Sequence, residues 1–165
     1  MSSISDVYDE IQPKIYVFFY IKTSNKELAE DLTQEVFYES LKSFNSFKNK
    51  SSLKTWMFSI ANNLLKKHYR KKHYDGILES KLSYDTSFYE DLEDEFIKKD
   101  EKNTLMKAIN CLDDNIKEIV ILRIYGELSF SDIGNIIGES ENYSRVNFHR
   151  AKLKIQKELE EYHGR

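Results

Sequence analysis

The stretch that most constrains this chain is 128–159, LSFSDIGNIIGESENYSRVNFHRAKLKIQKEL, where a short helical pattern meets a longer one at a glycine turn. Ser129 can cap the first helix, because its hydroxyl can accept from an orphan amide one turn in, and Phe130, Ile133, Ile136 and Ile137 then form an apolar face. Gly134 and Gly138 fall one turn apart. A glycine at the first position lets a crossing helix come close, and one at the second can take the left-handed conformation that ends a helix. Ser140 sits at the start of the next helix with Glu141 in its first turn, where the helix dipole favours negative charge. In that helix Ser144, Phe148, Ala151, Ile155 and Leu159 make one inward stripe. Asn142, Arg145, His149 and Lys152 lie on the other side, with Asn142 and Arg145 nearest the end that enters a DNA groove in a helix-turn-helix. Arginine forks onto guanine edges, asparagine onto adenine, and His or Lys can meet phosphate. An ordinary helical hairpin with a solvated basic face has the same periodicity.

The rest of the chain is helical in pattern too. It has one proline, five glycines and no convincing alternating run, so the expected fold is all-α. With 165 residues, 40% of them hydrophobic, it can form one domain or two small ones without covalent staples. The lone Cys111 cannot form an internal disulfide, which fits a reducing cytosol, and is expected to be a small core residue. The apolar run 15–21 is too short to span a bilayer and follows an acidic start, so a soluble, cytoplasmic protein is expected, with no membrane insertion of its own.

A net charge of −3 is low for a DNA-binding chain, but it conceals a segregation. Lys66, Lys67, Arg70, Lys71 and Lys72 place five cations within seven residues, while Asp85, Glu90, Asp91, Glu93, Asp94 and Glu95 form an acidic block downstream. Such a chain should bind DNA weakly alone and need a larger partner to hold it there.

From the start, Val7, Ile11, Ile15, Phe18 and Phe19 mark a first helix, with Pro13 in its first turns or kinking it. Ser24 and Asn25 offer a cap for a second, from Lys26 to about Phe44, with Leu28, Leu32, Val36 and Leu41 inward. Its other side carries Glu27, Glu30, Asp31, Gln34, Glu35 and Glu39, which reads as a solvated face or a docking surface. With no histidine nearby, metal or acid–base chemistry is not expected there. A polar loop, 45–55, leads to Trp56, Met57 and Phe58, with Trp56 expected in the core. Ile60, Ala61, Leu64 and Leu65 continue the inner face before the basic end. Aromatics beside a lysine-bearing loop and a basic helix suit single-stranded nucleic acid, although cations at a helix end also complement the dipole. From 73 to 95 the periodicity fades and acidic residues gather, as expected of a flexible acidic linker. Leu105, Ile109 and Leu112 then mark one helix, and Asp113 or Asp114 caps another. Ile116, Ile119, Val120, Leu122 and Ile124 fill that helix before Gly126 ends it.

Four of these segments, AEDLTQEVF (29–37), SSLKTWMFSIANNLLKKHYRKK (51–72), LDDNIKEIVILRIYGELSFSDIG (112–134) and FHRAKLKI (148–155), together resemble sigma factors of bacterial RNA polymerase. The resemblance is to the compact extracytoplasmic-function (ECF) group of the sigma-70 family, and it covers nearly the whole chain in the family's order. It implies a region 2-like domain at 1–73, a linker at 74–98 and a region 4-like helix-turn-helix domain at 99–165. Glu30, Asp31, Gln34 and Glu35 are similar to the surface that docks on the polymerase clamp helices. Loop 45–55, with Asn45, Phe47, Lys48, Lys50 and Lys54, resembles the loop that captures a flipped base of the −10 element. Asn63, Lys66, Lys67 and Arg70 resemble the adjoining promoter-contacting helix. Ser140, Asn142, Tyr143, Arg145, His149, Arg150 and Lys152 fall on the helix that resembles the −35 reader. The commonest family pattern there is an apolar residue and proline, then Gly-Thr-Val; this chain has Glu139, Ser140 and Asn142-Tyr143-Ser144.

The implied function is a dissociable subunit that directs core RNA polymerase to promoters, in a stress or envelope response. Its implied partners are core polymerase, promoter DNA and an anti-sigma factor able to hold it at the membrane. No catalytic residue, metal or cofactor is expected. The alternative is a stand-alone helix-turn-helix regulator binding duplex DNA as a dimer. That alternative gives no role to 56–72 or to the acidic helix. A nucleic-acid enzyme would need a nucleophile or metal constellation that the sequence does not offer.

Overall fold

The computed structural model describes residues 4–74 and 99–164, and among them every regular element is helical. The helices fall into two compact units, α1–α3 together with the segment Tyr125–Leu128, and α4–α7. The boundaries expected within 74–98, and the linker itself, lie outside the described residues apart from Tyr74. No described helix is long and apolar enough to cross a membrane.

In the first unit, α1 (Ile4–Thr23), α2 (Lys26–Lys42) and α3 (Leu53–Tyr74) pack on one another in all three pairings. Ile11, Ile15, Phe18 and Phe19 of α1, Ala29, Leu32 and Val36 of α2, and Met57, Phe58, Ala61 and Leu65 of α3 are all buried. The rings of Phe18 and Phe58 meet edge to face at 6.0 Å, an arrangement the aromatic quadrupole favours. Pro13 lies inside α1, beyond its first turns, with its ring exposed. Asn25 is the cap of α2, its side chain accepting from the Leu28 amide at 3.0 Å.

Helix α2 stops at Lys42 and is followed by a single 3₁₀ turn, Phe44–Ser46, so it is shorter than the expected run to Phe44. Leu41, expected inside, is 65% exposed. Nine residues after Leu32 it has turned about two and a half times round the helix, to the opposite side. Two polar residues of α2 are turned inward, Thr33 at its middle and Ser40 near its end, whose hydroxyls donate to the carbonyls of Ala29 and Val36, each at 2.6 Å, and are buried without an orphan polar group. Helix α3 begins at Leu53, inside the stretch expected to be loop, because the Ser52 hydroxyl accepts from the Thr55 amide at 3.1 Å and starts the first turn.

The second unit comprises α4 (Lys99–Asn110), α5 (Asp114–Ile124), α6 (Phe130–Ile137) and α7 (Glu141–His163). Five consecutive residues of α5, Glu118 to Leu122, are buried, so this part of the helix is enclosed on all sides rather than along one stripe. Ile124, at its last position, is exposed instead. The left-handed residue after α5 is Glu127 (φ 55), not Gly126. Cys111 is exposed, contrary to its expected place in the core, because it occupies the corner between α4 and α5 while Ile109 and Leu112 on either side point inward.

Candidate functional site

The helix-turn-helix is built by local contacts. Ser129 accepts from the Asp132 amide at 3.1 Å and starts α6, and Gly138 ends it at φ 77, with its own amide donating to the Gly134 carbonyl. The Glu139 amide donates to the same carbonyl at 2.9 Å. A Cβ on Gly134 would stand 2.7 Å from the Glu139 carbonyl oxygen, so the close approach that needs this glycine is by the turn backbone rather than by a neighbouring helix. Ser140 then accepts from the Tyr143 amide at 3.0 Å, which starts α7 and leaves the hydroxyl proton for another acceptor.

On α7, Ser144, Ala151 and Ile155 are buried and Phe148 and Leu159 half-buried, which fixes the inward direction. Asn142, Arg145, His149 and Lys152 are exposed. Arg145 Nη2 donates to Glu141 Oε1 at 2.6 Å, and its guanidinium lies 5.7 Å from the ring centre of Phe130. The Arg123 guanidinium lies 4.3 Å from the same centre, a distance at which cation and ring attract. Tyr143 and Arg150 do not share the flank of Arg145. Arg150 lines a small groove with Cys111, Asp113, Asn147 and Lys154, and Tyr143 is half-buried. Val146, which neither the inward stripe nor the polar face expected from sequence includes, is 36% exposed between Arg145 and His149 along the chain.

In the first unit, Glu30, Asp31 and Gln34 stand exposed on the outer side of α2, with Glu27 before them and Tyr38 and Leu41 after. Glu35 is exposed as well but turns toward α3. It lines a groove of about 370 Å³ together with Glu39, Ser43, Asn63, Lys67 and Arg70. Three of the expected α3 residues therefore meet at one groove, floored by Ile60 and Leu64, while Lys66 is exposed outside its lining.

The loop residues Asn45, Lys48 and Lys50 are exposed, with Asn49 in the left-handed region at φ 54, and Lys54 is half-buried in the first turn of α3. Phe47 does not project; its ring packs on Trp56 at 5.0 Å. Trp56 is only half-buried and borders an apolar groove of about 400 Å³ with Tyr8, Phe37, Leu41 and Phe44, which sequence reasoning did not foresee. Leu41 and Phe44 could have signalled it, since Leu41 falls off the inward stripe of α2 and Phe44 stands exposed just beyond its end.

Residues 7–73 match the Sigma-70 region 2 family. The chain is 30% identical over 161 residues to the RNA polymerase sigma factor YlaC of Bacillus subtilis (strain 168), covering 95% of this chain and 92% of that protein. It is 27% identical over 166 residues to the ECF RNA polymerase sigma factor SigW of the same organism, covering 95% and 89%. Among solved structures it resembles the sigma factor RpoE in its co-crystal structure with the anti-sigma factor NepR from Bartonella quintana, with a TM-score of 0.74 and 24% identity over 94% of this chain and 96% of that one. It also resembles CnrH, solved in complex with the cytosolic domain of CnrY, with a TM-score of 0.62 and 17% identity over 93% and 83%.

Proposed function

The chain belongs to the extracytoplasmic-function group of sigma-70 family RNA polymerase sigma factors, and on that premise we propose how its surfaces divide the work of promoter recognition. As a sigma factor it binds core RNA polymerase and directs it to specific promoters. Bond-making chemistry stays with the core, and this chain supplies recognition and strand opening.

The outer side of α2 docks the core. Glu30, Asp31 and Gln34 form a contiguous exposed face there, and carboxylates facing a basic partner steer encounter and fix register. The groove between α2 and α3 takes an unpaired base of the −10 element. Extruding a base costs a few kcal/mol of stacking, which contact with the groove walls and backbone cations offset. Asn63 supplies donors and an acceptor for a base edge, while Lys67 and Arg70 at the same groove meet phosphates. Lys48 and Lys50 on the preceding loop add charge along the strand. The exposed face of α7 reads the −35 element, with Arg145 and Asn142 toward the end that enters the groove. The convergence of Asn63, Lys67 and Arg70 on one groove carries this division, since no duplex-reading role requires it. The site of action is the cytoplasm, and the regulator that fits best is an anti-sigma factor, the kind of partner with which the structurally similar RpoE was crystallised.

The test is run-off transcription from genomic fragments. Core polymerase with this chain should yield discrete transcripts absent with core alone. Retardation of those fragments by the chain without core, and no new transcripts with it, would instead mark a stand-alone regulator.

A further inference from the structure

We propose that Val146 is a specificity-determining residue of the upstream promoter contact, and that it reads the C5-methyl group of a thymine in the major groove. The inference rests on the assignment of α7 to the −35 element and adds to it a base class that no cation or amide on this helix selects.

Position carries the first part. The buried stripe of α7 is centred on Ser144, Ala151 and Ile155. At about 100° per residue, Val146 lies about 200° round from Ser144, almost diametrically opposite the core. Arg145 and Lys152 lie on one flank of that line and Arg150 on the other, so Val146 stands nearer the centre of the presented face than any of these cations. It is also in the first two turns, the part of a recognition helix that reaches base edges. Chemistry carries the second. A helix face of Asn142, Arg145, His149 and Lys152 is polar, and 36% exposure of a valine among them gains nothing for solubility. In the major groove the one apolar feature on a base edge is the thymine methyl, and short apolar side chains are its partners. Leu153 continues the same line two turns further on, at 55% exposure, beyond the end that enters the groove.

Single thymine-to-deoxyuridine substitution removes that methyl and nothing else. On a promoter recovered by run-off transcription, each thymine of the upstream element is replaced in turn on both strands, and holoenzyme affinity is measured by competition. Wild-type holoenzyme should lose about fourfold at one position, as expected for one buried methyl-sized group. Val146→Ala should bind the thymine promoter less tightly by a similar factor and no longer distinguish uracil there, whereas Leu153→Ala should keep the wild-type pattern. The inference is overturned if no thymine is sensitive or if Val146→Ala keeps the full thymine preference. It is equally overturned if Val146→Ala weakens binding uniformly, which would indicate a protein contact instead. Failure of wild-type holoenzyme to bind the promoter at all would overturn the promoter assignment itself, and the inference with it.

Discussion

Arg145 is tied to Glu141, one helical turn before it, by a 2.6 Å hydrogen bond between guanidinium Nη2 and carboxylate Oε1 on the exposed face of α7. Both side chains are half-exposed, so the pair adds only a few tenths of a kcal/mol to helix stability. Its value is geometric, since it holds one edge of the guanidinium and leaves other N–H groups for a base. Arg145→Ala should cost roughly 1–3 kcal/mol on promoters with the preferred upstream element and relax the preference there. Glu141→Gln should lower stability by no more than about 1 kcal/mol, through the lost pair and the lost first-turn charge, and, by removing a charge that repels phosphates, raise affinity for random duplex while narrowing the promoter-to-random ratio. Competition binding of holoenzyme at fixed salt checks both.

Charge on the α2–α3 groove should act without regard to sequence. Lys67→Ala and Arg70→Ala should each lower the slope of log affinity against log salt by about 1, with similar losses on all promoters. A salt titration with two unrelated promoters measures this, and a loss confined to one of them would assign these cations to base reading.

The two kinds of carboxylate on α2 should separate. Asp31→Lys should weaken core binding by on the order of a few kcal/mol while helical content is retained, because it places like charge against a basic partner surface. Glu35→Lys should affect core binding less, since Glu35 turns to the groove that also holds Asn63 and Arg70. Titration of the variants against labelled core polymerase distinguishes them.

Gly134 should be the least replaceable residue of the turn. Gly134→Ala puts a methyl 2.7 Å from the Glu139 carbonyl, and fixed backbone there should cost about 1–3 kcal/mol. Gly138→Ala meets open space, and its penalty comes only from the left-handed φ of 77, about 1–2 kcal/mol. Chemical unfolding of the two variants, followed by circular dichroism, checks the magnitudes.

Much of this was legible from sequence because it is set by neighbours along the chain. The caps at Asn25, Ser129 and Ser140 and the left-handed Gly138 each depend on hydrogen bonds or steric limits within a few residues. What escaped depends on accumulated helical phase or on tertiary surroundings. Leu41 was expected inside α2 because it is apolar, yet its angular distance from Leu32 puts it outside. Cys111 and Ile124 sit at helix ends, where periodicity no longer says which side is inward. Glu35 was grouped with Glu30 and Asp31 by charge, and only the placement of α3 assigns it to the groove. Val146 was legible in principle from its phase relative to Ser144, but a valine amid cations carries no charge signal to draw notice.

The proposed division of labour separates duplex reading by α7 from strand capture by the α2–α3 groove. Permanganate footprinting of unstacked thymines, on a duplex promoter and on the same promoter with its −10 bubble already opened, tests it most directly. Asn63→Ala holoenzyme should fail to open the duplex and be rescued on the pre-opened template, while Arg145→Ala should remain defective on both. Rescue of Arg145→Ala with persistent failure of Asn63→Ala would show the two surfaces to be assigned the wrong way round.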